Sequence, residues 1–544
     1  RAMPMGRLRR IAALAVLRLA EATQPETCSV SDDSCSVVSE SPDTRWEPKT
    51  LSVVLPCAGE GEFASKTVKA VSASVPEGIL AEIVVVDDGS KPALGKSHLK
   101  KEFRSEYGVK LVRHKQARGL IRAKSAGAAA ATGDIIVFFD CHVAPRPGWH
   151  VEFLKSSAEN YRRIVVPVIT DLDIDSWTER RRATGHSKCY LTWDMDFKWF
   201  ESTTADVPVL SGGLLGISRR WWNETGGYDK GMAVWGGENI DQSLRTWLCG
   251  GEIVSLDNAF VAHMWRNSQD SRTEAQYETT VIDPLKNRLR AGYGWLGSYI
   301  EKLHQYPYLN PRILGVGKQG VDVGELHAVR DRLGCRPFAW FLWRFRDVYE
   351  DSGLLPDEVF QLQETKSGLC LTYNGPSGTN SQGRAIAKLM PCDAPSPGML
   401  QFKQHPNATM WHLGNKEHGT GRCCSGLRSW NTDQCLGSLA REGILTTVCG
   451  INGKDRSQFW RLSGEDDRLA PGQLQKGDGN CVVALRKKNK DGGESGAGGS
   501  FVLRPRKCLE RSDEAPVRWR KLRSEEPLET RLYREAKTER PELF

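Results

Sequence analysis

The chain has 544 residues, too many for one hydrophobic core, so two or three domains are expected. Hydrophobic residues make up 39% and charged residues 26%, a balance that excludes a largely disordered chain and a polytopic membrane protein. The net charge of +8 is thin over this length; it suits anionic ligands and leaves no nucleic-acid footprint, so no nucleic-acid partner is expected.

Arg7, Arg9 and Arg10 precede IAALAVL (11–17), the pattern of a signal peptide or of a clipped type II signal anchor. The apolar run is too short as it stands to span a bilayer. Residues 18–48 are polar and read as a stem, so 1–48 is taken as an N-terminal signal and stem region.

From residue 51 apolar runs alternate with helical stretches. LSVVLP, EIVVVDD (82–88), VKLV (109–112), DIIVFFD (134–140) and RIVVPVI (163–169) read as strands with little alternation. EFASKTVKAVSAS (62–74) and GLIRAKSAGAAAA (119–131) read as crossover helices. Such strands need cover on both faces, which predicts an α/β domain with a mostly parallel sheet. Ligands of such sheets bind beyond the carboxyl ends of the strands.

Several residues cluster at those ends. Asp140 and His142 stand two apart at the close of a strand, so their side chains point the same way. A carboxylate and an imidazole together suit Mn²⁺ or another borderline divalent cation. For D-x-H alone, a cap aspartate and a loop histidine is the stronger reading. Asp87 and Asp88 end another strand, where a carboxylate can accept from a base or ribose. Arg118, Arg122 and Lys124 surround a helix start and could neutralise a diphosphate. Gly213, inside an apolar run, suggests close approach of a ligand or another backbone. In VWGGEN (234–239), Trp235 can cover a sugar or leaving group, the glycines permit a mobile loop, and Glu238 can bond sugar hydroxyls.

After about residue 350 strand signals shorten, and Gly, Asn, Asp and Ser multiply. Of the fifteen cysteines, seven fall between Cys370 and Cys481 and Cys508 follows, which reads as a disulfide framework from an oxidising compartment. A weak triple repeat of roughly 50 residues joins Cys370, Cys392 and QFK (401–403), then Cys424, Cys449 and QFW (458–460), then Cys481, Cys508 and RWR (518–520). The tail beyond about 523 is charged and expected to fray.

The chain resembles the polypeptide N-acetylgalactosaminyltransferases over about 50–525. The likeness is carried by GLIRA, FFDCH, TWDMDFKWF (192–200), SGGLLGIS, YDKGMAVWGGENIDQSLRTWLCGGEI (228–253) and CRPFAWFL (335–342). It implies an α/β GT-A, Rossmann-like catalytic domain over 49–350, then an all-β ricin-type β-trefoil lectin domain over 357–523 and a charged tail over 524–544. It also implies transfer of GalNAc from UDP-GalNAc to Ser/Thr hydroxyls of polypeptides, with retention, in the Golgi lumen of the secretory pathway.

Carried over residue by residue, the resemblance makes Asp140, His142 and His263 (in VAHMWR) the Mn²⁺ ligands and sets Arg266 near the diphosphate. Asp88 falls at the uridine position and Cys141 beside the nucleotide, where the family usually has serine or alanine. Trp235 matches the loop tryptophan, Glu238 the glutamate that contacts the donor sugar, and Gly213 lies beside that sugar. No carboxylate matches a covalent nucleophile; the family is thought to use front-face attack, with Glu238 positioning the sugar.

The resemblance pairs Cys249 with Cys335, Cys370 with Cys392, Cys424 (or Cys423) with Cys449, and Cys481 with Cys508. Thr372, Val483 and the CCSGL stretch lack the aspartate of a sugar-binding lectin unit. A structural trefoil is therefore expected over one that binds a glycan partner.

Three stretches depart from the family. PCAGEGE (56–62) keeps only Glu60 of a His-Asn-Glu, Ala117 replaces a basic residue, and NSQDSRTEAQ replaces an aromatic, Pro- and Gly-rich segment. The alternatives are a related transferase using another UDP-sugar or acceptor, and a catalytically weak carbohydrate-binding protein.

Overall fold

Runs of Val, Ile and Leu without alternation leave no face for water, and the chain buries both. The computed structural model describes residues 46–180, 185–200, 202–267, 270–274, 282–316, 321–350, 353–373, 385–393, 409–413, 426–430, 434–439, 443–449, 458, 460–462, 473–476, 479–486, 501–509 and 518–544. Its first strands are β1 (Leu51–Cys57), β2 (Leu80–Asp88), β3 (Val109–His114), β4 (Ile135–Phe138), β5 (Val143–Pro145) and β6 (Arg163–Asp173). Then come β7 (Thr178–Glu179), β8 (Cys189–Leu191), β9 (Phe197–Trp199), β10 (Leu215–Ser218) and β11 (Glu252–His263). The helices among them are α1 (Glu62–Ala73), α2 (Lys101–Glu106), α3 (Leu120–Ala130), α4 (Trp149–Glu159), α5 (Arg219–Thr225), α6 (Glu238–Leu248) and α7 (Ile282–Trp295).

The strand order is β3-β2-β1-β4-β10-β6-β11-β5. β1, β2, β3 and β4 pair in parallel, as do β6 and β11; β10 enters antiparallel between β4 and β6. Alternate residues of each strand feed separate cores. Val54, Val84, Val86, Ile136 and Phe138 pack with Ile121 and Ala123 of α3 and Ile240 and Leu244 of α6. Val53, Leu55, Ile83, Val85, Val137 and Phe139 pack with Ala64, Val68 and Val71 of α1 and Trp149 and Phe153 of α4. Period-two alternation explains why neither face reads as polar in the sequence.

The C-terminal half is built of antiparallel strands around a third core. Three indoles repeat one interaction there. Trp411 Nε1 donates to Leu371 O at 2.8 Å, Trp460 Nε1 to Leu436 O at 2.8 Å and Trp519 Nε1 to Val482 O at 3.2 Å. Each acceptor directly follows a disulfide cysteine. Cys370 bonds Cys392, Cys435 bonds Cys449, and Cys481 bonds Cys508.

One pairing of the expected repeat needs correction. Cys449 pairs with Cys435 rather than Cys424, because Cys435 sits on the strand Gln434–Leu439 that faces Gly443–Val448, with Cα atoms of the pair 5.0 Å apart. The first indole is Trp411, on Met410–Leu413; QFK (401–403), Cys423 and Cys424 lie outside the described residues.

The tail is also different from expectation. Leu528–Glu539 forms a helix with Glu529 and Tyr533 buried. Glu529 Oε1 accepts from Lys302 Nζ at 2.8 Å and from Trp430 Nε1 at 3.0 Å. Lys302 lies on Ile300–Leu303, in the part of the chain before residue 350, and Trp430 in the antiparallel β part, so the helix closes a seam between them.

Candidate active site

The carboxyl ends of β1, β2 and β4 open into a cavity of about 630 Å³. Past Phe138 the β4 ladder stops, and the chain turns through Asp140, Cys141 and His142 before β5. β11 ends beside it with His263, whose neighbour Ala262 pairs with Ala144 of β5. Two strand ends distant in sequence thereby meet. One ligand atom each of Asp140, His142 and His263 lies within 4.8 Å of the others. His263 Nε2 is 3.1 Å from Asp140 Oδ2, and the two imidazole rings are 5.0 Å apart.

Electrostatics prepare this trio for a cation. Burial works to raise the Asp140 carboxyl, but the His263 hydrogen bond and the Lys124 charge outweigh it and hold the group well below the usual carboxylate range. Burial lowers the His263 imidazole, against the pull of Asp140, which favours the neutral form a metal ligand needs.

Arg266 and Glu60 stand behind His142. Glu60 Oε2 is 3.3 Å from His142 Nδ1, an ion-pair contact rather than an aligned hydrogen bond. Arg266 Nη2 donates to Glu60 Oε1 and lies 3.4 Å from His142 Nδ1. Glu60 starts the turn into α1, the one residue of the His-Asn-Glu that the sequence keeps.

Opposite the trio, Glu238 opens α6 and is 2% exposed. Burial raises its carboxyl, with Lys124 pulling the other way, and Oε2 has no hydrogen-bond partner among the described residues. A buried carboxylate oxygen without a donor is costly, and a ligand hydroxyl in the cavity would satisfy it. Between Glu238 and the trio runs Ser211–Leu214. A Cβ added at Gly213 would meet Asp140 Oδ2 at 2.8 Å, so the backbone reaches the carboxylate only as glycine.

Trp235 is 47% exposed at the rim. Its loop rests on the start of α3, where Ile121 N donates to Val234 O at 3.2 Å and a Cβ at Gly119 would meet Val234 Cα at 2.4 Å. Asn287 of α7 holds the loop. Its Nδ2 donates to Ala233 O at 2.7 Å and Gly236 O at 2.8 Å, and its Oδ1 accepts from Ala233 N at 3.1 Å.

Asp88 lines the cavity floor and is already engaged. Its carboxylate accepts from the backbone N–H of Arg118 at 2.9 Å and of Gly119 at 2.8 Å, and contacts His114 Nδ1 at 2.7 Å. Arg118 lines the cavity, whereas Arg122 turns away and donates to Lys230 O. Lys124 is the basic residue of that helix that faces inward, fully buried, its Nζ on Gly212 O at 2.5 Å. Helical spacing explains the split: on a helix with 3.6 residues per turn, positions 122 and 124 lie on opposed faces.

Cys141 is among the residues that border the cavity, with its sulfur engaged in a disulfide. Its partner is Cys57 at the end of β1, and both residues are 0% exposed. Cys141 packs with Phe139 and Val143 in the core that α1 and α4 cover, between the two candidate ligands. Cys249 bonds Cys335 as the resemblance implied. Asn287, in a stretch without a motif, carried no sequence signal; Lys124 was visible only as one of three basic residues.

The glycosyl transferase family 2 model matches residues 52–225, and that for the N-terminal domain of galactosyltransferase matches 203–266. Polypeptide N-acetylgalactosaminyltransferase 15 of Homo sapiens is 32% identical over 387 residues, 68% of this chain and 58% of that protein. Polypeptide N-acetylgalactosaminyltransferase 8 of Drosophila melanogaster is 28% identical over 456 residues, 79% of this chain and 70% of that protein. By sequence, the chain is similar to the polypeptide N-acetylgalactosaminyltransferases. The match spans only a little over half the length of the human relative. Among solved structures, a crystal structure of GalNAc-T7 with UDP, GalNAc and Mn²⁺ has a TM-score of 0.54 at 21% identity, covering 87% of this chain and 82% of that one. The fold is thus a GT-A-like mixed α/β sheet followed by an antiparallel, trefoil-like β domain.

Proposed function

We propose that the chain is a Mn²⁺-dependent polypeptide N-acetylgalactosaminyltransferase, moving GalNAc from UDP-GalNAc to Ser/Thr hydroxyls of polypeptides. One observation carries the reading: Asp140, His142 and His263 converge to within 4.8 Å, in the cavity that Glu238 and the Trp235 loop also line. One carboxylate and two imidazoles are a donor set that suits Mn²⁺, so the residues present fit the ion. When bound there, the cation would supply positive charge against the departing diphosphate.

The chain's own residues divide the remaining work. Arg266 adds charge on the diphosphate side, next to His142. Asp88 and the Arg118 backbone shape the nucleoside end, and Glu238 accepts from a sugar hydroxyl. Trp235 covers the sugar and excludes water that would otherwise take it. Catalysis is assigned to residues 49–350 and a structural role to 357–523, with 524–544 as a C-terminal extension and 1–48 as signal and stem. At the lectin aspartate positions stand Thr372, Val483 and, by the corrected pairing, Gly437, so the trefoil is assigned little sugar affinity. The disulfides favour a secretory-pathway location, and the Golgi lumen, with or without a type II anchor, is the proposed site.

The test is incubation of the purified chain with a Ser/Thr peptide pool, Mn²⁺ and a panel of UDP-sugars. HexNAc-modified peptide from UDP-GalNAc, lost on chelation, is the expected result. Product from a different UDP-sugar alone, or peptide left unmodified throughout, would overturn the reading.

A further inference from the structure

The segment Asp140–His142 has little backbone support of its own. β4 last pairs with β1 at Val54↔Phe138 and with β10 at Leu215↔Phe138, so the next residues lie beyond both ladders. Phe139 N still donates to Val54 O at 3.1 Å, and support returns with Met264 N on His142 O at 3.1 Å and Val143 N on Thr67 Oγ1 at 3.2 Å. Between those points the Cys57–Cys141 bond is the covalent tie, closing a separation of 84 residues.

Its other end sits where it matters for His142. Cys57 is the last residue of β1, and the chain runs from it through Ala58 and Gly59 to Glu60. Gly59 N donates to Ser90 Oγ at 3.2 Å, and Glu60 is 7% exposed with its carboxylate between His142 and Arg266. One cross-link therefore fixes two things at once: the peptide that carries Asp140 and His142, and the origin of the short turn that brings Glu60 to His142. Metal affinity depends on such supports, because an outer partner sets the tautomer and direction of a ligating imidazole.

We propose that the Cys57–Cys141 disulfide is a positioning element of the metal site, holding Asp140 and His142 in ligand geometry and Glu60 against His142. The inference rests on the metal-site reading above. Both cysteines border the cavity, and the role assigned to them is exerted through the residues beside them.

The experiment measures Mn²⁺ binding directly, by calorimetry on the purified chain without donor or acceptor, alongside far-UV circular dichroism. Peptide mapping under non-reducing conditions should recover Cys57 joined to Cys141; finding both as free thiols in the native protein overturns the proposal. C57A/C141A is expected to fold and bind Mn²⁺ about tenfold more weakly than the parent. C57V/C141A, which restores apolar volume without the cross-link, should show the same loss. Should either folded variant match the parent within twofold, packing rather than the cross-link holds the site, and the proposal fails while the metal reading stands. A parent chain that binds no Mn²⁺ sinks both.

Discussion

Single atoms set the tolerance of the cation pocket. At Gly213 one methyl would place carbon 2.8 Å from Asp140 Oδ2, so G213A must push the carboxylate or the backbone aside. A shift of about 1 Å in a reacting group is worth roughly 10²-fold, and kcat/KM of G213A should fall by about that factor with the melting temperature little changed. An unaltered kcat/KM in a folded G213A would show that the carboxylate has room to spare. Glu60 gives a second, gentler probe. E60Q keeps the shape but removes the charge facing His142 and Arg266, and Mn²⁺ affinity should drop about 10-fold to 100-fold by titration. At this scale D-x-H was legible because it follows directly on a buried strand, which ends at Phe138 and delivers both side chains to the cavity. Cys141 carries a feature the sequence reading did not name: its sulfur is bonded to Cys57 at the end of β1.

Elements succeed or fail as signals according to how local their cause is. The strands of the N-terminal sheet were readable because a doubly covered strand writes its burial into consecutive residues, as LSVVLP and EIVVVDD do. The trefoil strands are two to seven residues long and their pairing is set by distant turns, so the choice between Cys424 and Cys435 could not come from spacing. The Trp235 loop is an intermediate case. VWGGEN announces a loop, yet nothing in that stretch names its anchor, which is Asn287 on α7. N287A should cost about 1–3 kcal/mol of stability by leaving the loop carbonyls of Ala233 and Gly236 without their donor. Hydrogen exchange over 233–237 should quicken, and kcat should fall more than substrate affinity if closure of that loop is what excludes water. Unchanged exchange there would mean the loop is held by its seat on α3 instead.

The whole molecule is closed by its last helix, and one carboxylate joins three parts of the chain. Glu529 meets Lys302 and Trp430, with Lys302 Nζ 4.4 Å from the Trp430 ring centre. Lys302 and Glu529 are 0% and 1% exposed, and burial lowers the lysine while the Glu529 charge opposes that fall. The amphipathic spacing of Leu528, Leu532, Tyr533 and Ala536 was present in a tail that reads as charged, and only the apolar face decides where it docks. A buried ion pair is a poor source of net stability but an exacting one, since losing one partner leaves the other charge in a dry site. E529A should therefore destabilise the chain by about 3–5 kcal/mol in chemical denaturation, whereas K302M/E529L, which removes both charges together, should recover most of that loss. If the double variant is as unstable as E529A, the seam depends on the Trp430 hydrogen bond and helix packing rather than on charge balance. The same pair of variants then asks whether the halves must stay docked for transfer. With K302M/E529L folded and E529A undocked, peptide glycosylation should persist in both, because every residue that lines the cavity lies before position 289.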